Sequence, residues 1–133
     1  MATAQTGVRV AGDGYGRPWV VQSNGNIFRF AEGTWRHISG HFAKAIDIGR
    51  DANGQDHIFI IRTNGRVARY NGSGFIDYGG GIGDEITVDN RGFPWVLRGA
   101  VPYRFDGGRT WTPFWNMRAG VEPEPRTCPA LQQ

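Results

Sequence analysis

The stretch Trp19-Val20-Val21-Gln22-Ser23-Asn24-Gly25-Asn26-Ile27-Phe28-Arg29-Phe30 decides the fold, because it returns 40 positions later as Phe59-Ile60-Ile61-Arg62-Thr63-Asn64-Gly65-Arg66-Val67-Ala68-Arg69-Tyr70. A third copy opens with Trp95-Val96-Leu97-Arg98 and, after a turn one residue shorter, closes with Pro102-Tyr103-Arg104-Phe105. The flanks repeat as well. Val8-Arg9-Val10, Ile46-Asp47-Ile48 and Ile86-Thr87-Val88 precede the three copies, and Thr34-Trp35, Gly74-Phe75 and Thr110-Trp111 follow them. A period near 40 residues marks repeat units that bury their apolar faces on neighbouring units.

Each unit reads as four short strands, which in the first unit fall near residues 7–11, 17–23, 26–31 and 34–38. Asn24-Gly25 and Asn64-Gly65 are signals for a type I′ hairpin, whose two centre residues both need positive φ. The second and third strands of a unit are therefore antiparallel neighbours. The loop between the first two strands runs through Gly12–Gly16 in one unit and Asp51–Asp56 in the next, a difference in length that marks a surface loop. Runs such as Trp19-Val20-Val21 and Ile58-Phe59-Ile60-Ile61 do not alternate apolar with polar, so those strands must be covered on both faces.

Four-stranded antiparallel units covered on both sides by copies of themselves are blades of a β-propeller; a solenoid of stacked sheets is the alternative, and it predicts polar capping units that are not visible. Propellers close with about four to eight blades, and this chain encodes three. The fold class expected is all-β, with three four-stranded antiparallel blades forming half of a six-bladed propeller. The end blades would leave apolar faces bare, a mark of an interface. Two-fold pairing is the commonest oligomer symmetry, so the expected partner is a second copy closing a six-bladed ring, by face packing or strand exchange, or else a different protein that supplies the missing blades.

The pattern Gly16-Arg17-Pro18-Trp19-Val20-Val21, Asn24-Gly25-Asn26-Ile27-Phe28-Arg29, Gly33-Thr34-Trp35 and Ala45-Ile46-Asp47-Ile48-Gly49 resembles the tectonin repeat of lectins of the tachylectin and fish-egg type, over roughly residues 7–115. The resemblance implies a six-bladed propeller and a binding function, often toward glycans or bacterial surface lipopolysaccharide. It departs from the pattern where Phe59 and Phe75 replace the two tryptophans of the second unit and where the third unit lacks the Asn-Gly turn. Full-length members usually carry all blades on one chain. The expected organisation is an N-terminal tail over 1–6, three blades over about 7–40, 41–80 and 81–115, and a proline-rich tail over 116–133.

Composition narrows the function. The 133 residues include 21 glycines and 7 prolines but are 39% apolar and 13% aromatic, which argues against a disordered or collagen-like chain. The net charge of +3 comes from fourteen arginines and the single Lys44, interspersed with acids, so there is no continuous basic track for nucleic acid. Cys128 is the only cysteine and forms no internal disulfide. Residues 1–7 show no basic-then-apolar leader, and no apolar run approaches the roughly 18 residues of a membrane span. A soluble protein is expected, cytoplasmic or exported by a non-classical route.

Sugar binding needs a flat aromatic face for the C–H side of a ring and planar polar groups for its hydroxyls. Trp35, Phe75 and Trp111, beside short polar turns, suit the first task, and the same rings would also fit between blades. Arg29, Arg69 and Arg104 recur directly before Phe30, Tyr70 and Phe105 and suit the second. They would equally pair with a carboxylate of the adjacent blade, Asp47 and Asp89 being the obvious acids. Trp19, Phe59 and Trp95 lie in the most apolar strand and read as core.

No metal or cofactor is expected. His37 and His41 are separated by a Ser39-Gly40 turn, and Asp51–Asp56 lacks the distal Glu of a full calcium loop, which leaves an ordinary Asp/Asn/Gly turn. Ser23, Ser39 and Ser73 lie in turns without a nucleophile elbow, Cys128 lacks an activating context, and Asp84 and Glu85 are adjacent and would point to opposite faces of a strand, so catalysis is not expected. The prolines at 123, 125 and 129 favour an extended tail, and Trp115 and Met117 suggest that its root packs. The sequence therefore points to a non-enzymatic, lectin-like binding module, or to a scaffold subunit whose bare blade faces dock on a larger assembly.

Overall fold

The computed structural model describes residues 7–114. Within them lie β1 (Arg9–Gly12), β2 (Pro18–Val21), β3 (Ile27–Ala31), β4 (Thr34–His37), β5 (Ala43–Arg50), β6 (Asp56–Arg62), β7 (Arg66–Tyr70), β8 (Phe75–Ile82), β9 (Glu85–Val88), β10 (Pro94–Arg98), β11 (Val101–Gly107) and β12 (Thr110–Pro113). They form three antiparallel sheets of four strands in simple order, β1 to β4, β5 to β8 and β9 to β12, with no helix among the described residues. Among the described residues no helix is long and apolar enough to cross a membrane. The expectations for residues 1–6, Trp115, Met117, Cys128 and the proline-rich tail lie outside the described residues.

The registers match from sheet to sheet: Trp19 faces Arg29, Phe59 faces Arg69 and Trp95 faces Arg104 across the second and third strands. The face bearing Trp19, Phe59 or Trp95 is called the front, and the face bearing Val20, Ile60 or Val96 the back. Trp19, Val21 and Ile27 on the front of the first sheet pack on Ile46, Ile60, Ala68 and Phe75 on the back of the second. Phe59, Ile61 and Val67 on the front of the second pack on Ile86, Val96, Tyr103 and Trp111 on the back of the third. Each fully buried Val or Ile contributes about 1.5–3 kcal/mol by leaving water. The unalternating strands thus have the expected cause, since β6 is buried on both faces, with Phe59, Ile60 and Ile61 all at 0% exposure. The first strands of the sheets lie side by side, β1 against β5 and β5 against β9.

Two turn expectations are corrected. Asn24-Gly25 and Asn64-Gly65 are not type I′ turns, because only the glycines, at 91° and 92°, have positive φ. The Gly25 N–H instead donates to the Gln22 carbonyl, and the Gln22 N–H to the Asn26 carbonyl, which makes a three-residue loop with a glycine bulge. The Asn24 side chain accepts the Asn26 N–H at 3.0 Å and selects that loop. Both centre residues have positive φ at Glu32-Gly33, joining β3 to β4, and at Gly99-Ala100, which replaces the missing Asn-Gly in the third sheet.

The loops between first and second strands do not vary in length either. Asp13, Asp51 and Asp89 each begin the same five-residue turn, with Gly16, Gly54 and Gly92 in its fourth position donating back to the aspartate carbonyl. One oxygen of each carboxylate accepts two backbone N–H groups of its own turn, such as Arg91 and Phe93 for Asp89. The extra residues of the second unit lengthen the β5–β6 ladder, which runs on to Arg50 opposite Asp56.

Candidate functional site

The three repeated arginines stand at one register position but have three different environments. Arg29 Nη1 donates to the Tyr70 hydroxyl across the junction of the first and second sheets at 3.2 Å, and that hydroxyl donates to the Gly72 carbonyl at 2.9 Å. Its guanidinium also lies over the Trp19 ring, 5.2 Å from the centroid. Arg69 Nη2 donates to His57 Nδ1 at 3.1 Å, and His57 Nε2 donates to Asp51 at 2.7 Å. That hydrogen bond is the chief cause holding the Asp51 carboxyl below the usual carboxylate range. Arg104 is buried at 4% exposure and its Nε donates to Asp106 of its own sheet at 2.8 Å.

None of the three pairs with Asp47 or Asp89, contrary to the sequence expectation. Asp47 instead accepts the Val88 N–H at 2.7 Å and so ties β5 to β9. Asp89 is spent on its own turn and on the Trp95 indole N–H at 3.0 Å. Burial raises the Asp89 pKa, but hydrogen bonds from Arg91, Trp95 and the turn amides outweigh it and hold the carboxyl below its ordinary value.

The aromatic candidates are equally divided. Trp35, Phe75 and Trp111 occupy the same register, opposite Phe30, Tyr70 and Phe105. Phe75 is 3% exposed, wedged between the rings of Trp19, Tyr70 and His41, and offers no face to a ligand. Trp111 is half-buried, its N–H donating to the Gly79 carbonyl at 2.9 Å. Trp35 is half-buried on the back of the first sheet, its ring edge-on to Phe30.

Three of the cavities among the described residues bear on these side chains. One of about 440 Å³ opens where the first sheet meets Tyr70 and is walled by Arg17, Arg29, Glu32, Arg36 and His37. A second of about 240 Å³ lies between the second and third sheets, where Arg98, Tyr103, Arg109 and Trp111 face Gly80 and Gly81. A third of about 210 Å³ sits on the front of the third sheet among Glu85, Thr87, Trp95, Leu97 and Pro102. Arg29 and Trp111, both singled out by sequence, therefore fall in separate cavities, and Arg69, Arg104 and Phe75 line none of the three.

One solved structure similar to this chain is a fucose lectin from Kordia zhangzhouensis in complex with methyl-fucoside, with 17% identity and a TM-score of 0.46, covering 86% of this chain and 99% of that one. No protein-family model and no curated protein matches the chain.

The 440 Å³ cavity is the most polar of these three. Arg17 is held by Asp13 at 3.0 Å and Arg36 by Glu32, which leaves their remaining N–H groups directed by a fixed partner. Glu32 is one of two non-glycine described residues at positive φ, at 56°, a conformation that costs about 1 kcal/mol or more for a side chain of its type. His37 stacks on Phe28 at 4.8 Å. Sequence reasoning missed Glu32, Arg36, His37 and Tyr70 because they come from a turn and two strands of two different sheets. The Glu-Gly dipeptide was the one local signal, marking a tight turn there.

Proposed function

We propose that this chain is a non-enzymatic, lectin-like module, half of a six-bladed propeller, that holds a saccharide in the cavity between its first sheet and Tyr70. The supporting observation is the convergence there of Arg29, Arg36, Glu32 and Tyr70, which combine guanidinium donors, a carboxylate acceptor and aromatic surface in one pocket. A sugar presents adjacent hydroxyls that both donate and accept, and a planar guanidinium beside a carboxylate meets that pattern. Arg29 is positioned for it by Trp19 and Tyr70, so little side-chain freedom is lost on binding. The pocket is open and shallow, which fits modest single-site affinity raised by repetition on a multivalent surface such as bacterial lipopolysaccharide.

Titration of an immobilised glycan panel and lipopolysaccharide against wild type and Arg29→Ala tests the proposal, with the fold checked by near-ultraviolet circular dichroism. The expected result is binding by wild type and a loss of about tenfold or more in the variant, since a charge-assisted hydrogen bond contributes about 1.5–3 kcal/mol. Equal binding by both moves the site elsewhere. The bare apolar cavity on the third sheet favours a second reading, a scaffold subunit. A blank panel together with one stoichiometric co-purifying protein would support that reading instead.

A further inference from the structure

Among the described residues the second sheet is packed between two sheets, whereas the first and third each have one face with no sheet against it. On the front of the third sheet, Leu97 faces Pro102 at the register where Val21 faces Ile27 and Ile61 faces Val67. The latter four side chains are at most 1% exposed under the following sheet; Leu97 is 39% exposed. Trp95, half-buried against Phe114, stands where Trp19 and Phe59 are sealed by a following sheet, and the result is the apolar depression on that face. On the back of the first sheet, Val10 faces Val20 where Ile46 faces Ile60 and Ile86 faces Val96. Ile46 is 7% exposed beneath the preceding sheet, and Val10 is 70% exposed. Trp35 waits on the same face at the register of Phe75 and Trp111, which both pack into junctions.

The two bare faces are thus the two halves of a junction that the chain already makes twice. We infer that the bare front of the third sheet receives the bare back of the first sheet of a second copy, and that the reciprocal contact closes a ring of six sheets. Head-to-tail contacts close when the rotation per unit divides a full turn. Propellers hold about four to eight blades, and six is the one multiple of three in that range. A second copy is the occupant because each chain carries both complementary surfaces in the register its own sheets use. This inference rests on the half-propeller reading. It is independent of the saccharide cavity, which lies wholly within one chain.

Light scattering on the full chain at low micromolar concentration tests it. Wild type is expected at the mass of two chains. Val10→Lys and Leu97→Glu each place a charge in the junction and should weaken pairing about a hundredfold or more, giving single chains with unchanged circular dichroism. Mixing the two variants should restore pairs, because a mixed pair has one junction made of two unaltered faces and one in which Lys meets Glu. A wild-type mass of one chain overturns the inference, whether residues 115–133 or a different protein covers the face. Pairing that survives Leu97→Glu also overturns it. Saccharide binding measured on the single-chain variants separates failure of this contact from failure of the proposed site.

Discussion

Trp111 closes directly onto Gly81: a Cβ at residue 81 would run into the indole Cζ2. Gly81 belongs to a bulge, where the β7–β8 ladder steps from Ala68 opposite Asp77 to Arg66 opposite Ile82. The bulge brings the Gly79 carbonyl to the indole N–H. The third sheet is thereby keyed to the second at a point where the indole occupies the place of a residue 81 Cβ.

Gly81→Ala should therefore destabilise the chain by about 1–3 kcal/mol through overpacking. Adding Trp111→Phe, which removes the clashing ring, should recover part of that loss, as read by urea unfolding in a double-mutant cycle. A neutral Gly81→Ala would show that the junction is looser than described.

The shared register of Trp35 and Phe75 predicts unequal consequences. In a single-chain Leu97→Glu background, Phe75→Ala should cost about 3–5 kcal/mol, the range for emptying a buried aromatic site. Trp35→Ala, on the bare face, should cost about 1 kcal/mol or less. Equal losses would contradict the uncovered back of the first sheet.

Acid should weaken the fold in two steps. Burial, then the charge of Arg62, lowers the His41 pKa; both ring nitrogens already face donors, Arg62 Nη1 at 3.1 Å and the Phe75 N–H at 3.3 Å. His41 is thus harder to protonate folded than unfolded, so stability present above about pH 6.5 declines as pH falls below it. The second step begins nearer pH 4. Asp13 and Asp89 have folded pKa values below their unfolded ones despite the opposing effect of burial, so their contribution is lost as pH falls through the folded values. Urea midpoints measured between pH 3 and 8 should show both steps, and His41→Gln should abolish the upper one alone. A flat profile above pH 5 would rule out the His41 account.

Glu32 has a conformation that a smaller residue adopts more easily. Glu32→Asn should leave thermal stability unchanged or raise it by up to about 1 kcal/mol, since Asn tolerates the left-handed region. Saccharide affinity should fall about tenfold with the loss of the carboxylate acceptor. A parallel fall in stability and affinity would assign Glu32 a purely structural role.

Tyr70→Phe removes the hydroxyl that Arg29 contacts while keeping the ring packed on Trp19 at 5.0 Å. Stability should drop by about 1 kcal/mol and saccharide affinity by a few fold. Unchanged affinity would show that Arg29 is held well enough by Trp19 alone.

Much of this architecture was legible in the residues taken in order. The copies at Trp19, Phe59 and Trp95 announced three units, and the runs Trp19-Val20-Val21 and Ile58-Phe59-Ile60-Ile61 announced strands apolar on both sides, since period and composition act over a few neighbouring residues. Turn chemistry was partly misread: the positive-φ pairs fell at Glu32-Gly33 and Gly99-Ala100, because the Asn24 and Asn64 side chains stabilise a longer loop at the familiar Asn-Gly signal. Tertiary packing alone separated Trp35, Phe75 and Trp111, identical in register yet facing no sheet, a sealed core and a glycine bulge. It also sent Arg29 to Tyr70 of the next sheet, while Arg69 and Arg104 found His57 and Asp106 within their own sheets. Strand alternation says which side a residue takes, but what stands across from it comes from chain about 40 positions away, and only the packed sheets bring that chain near.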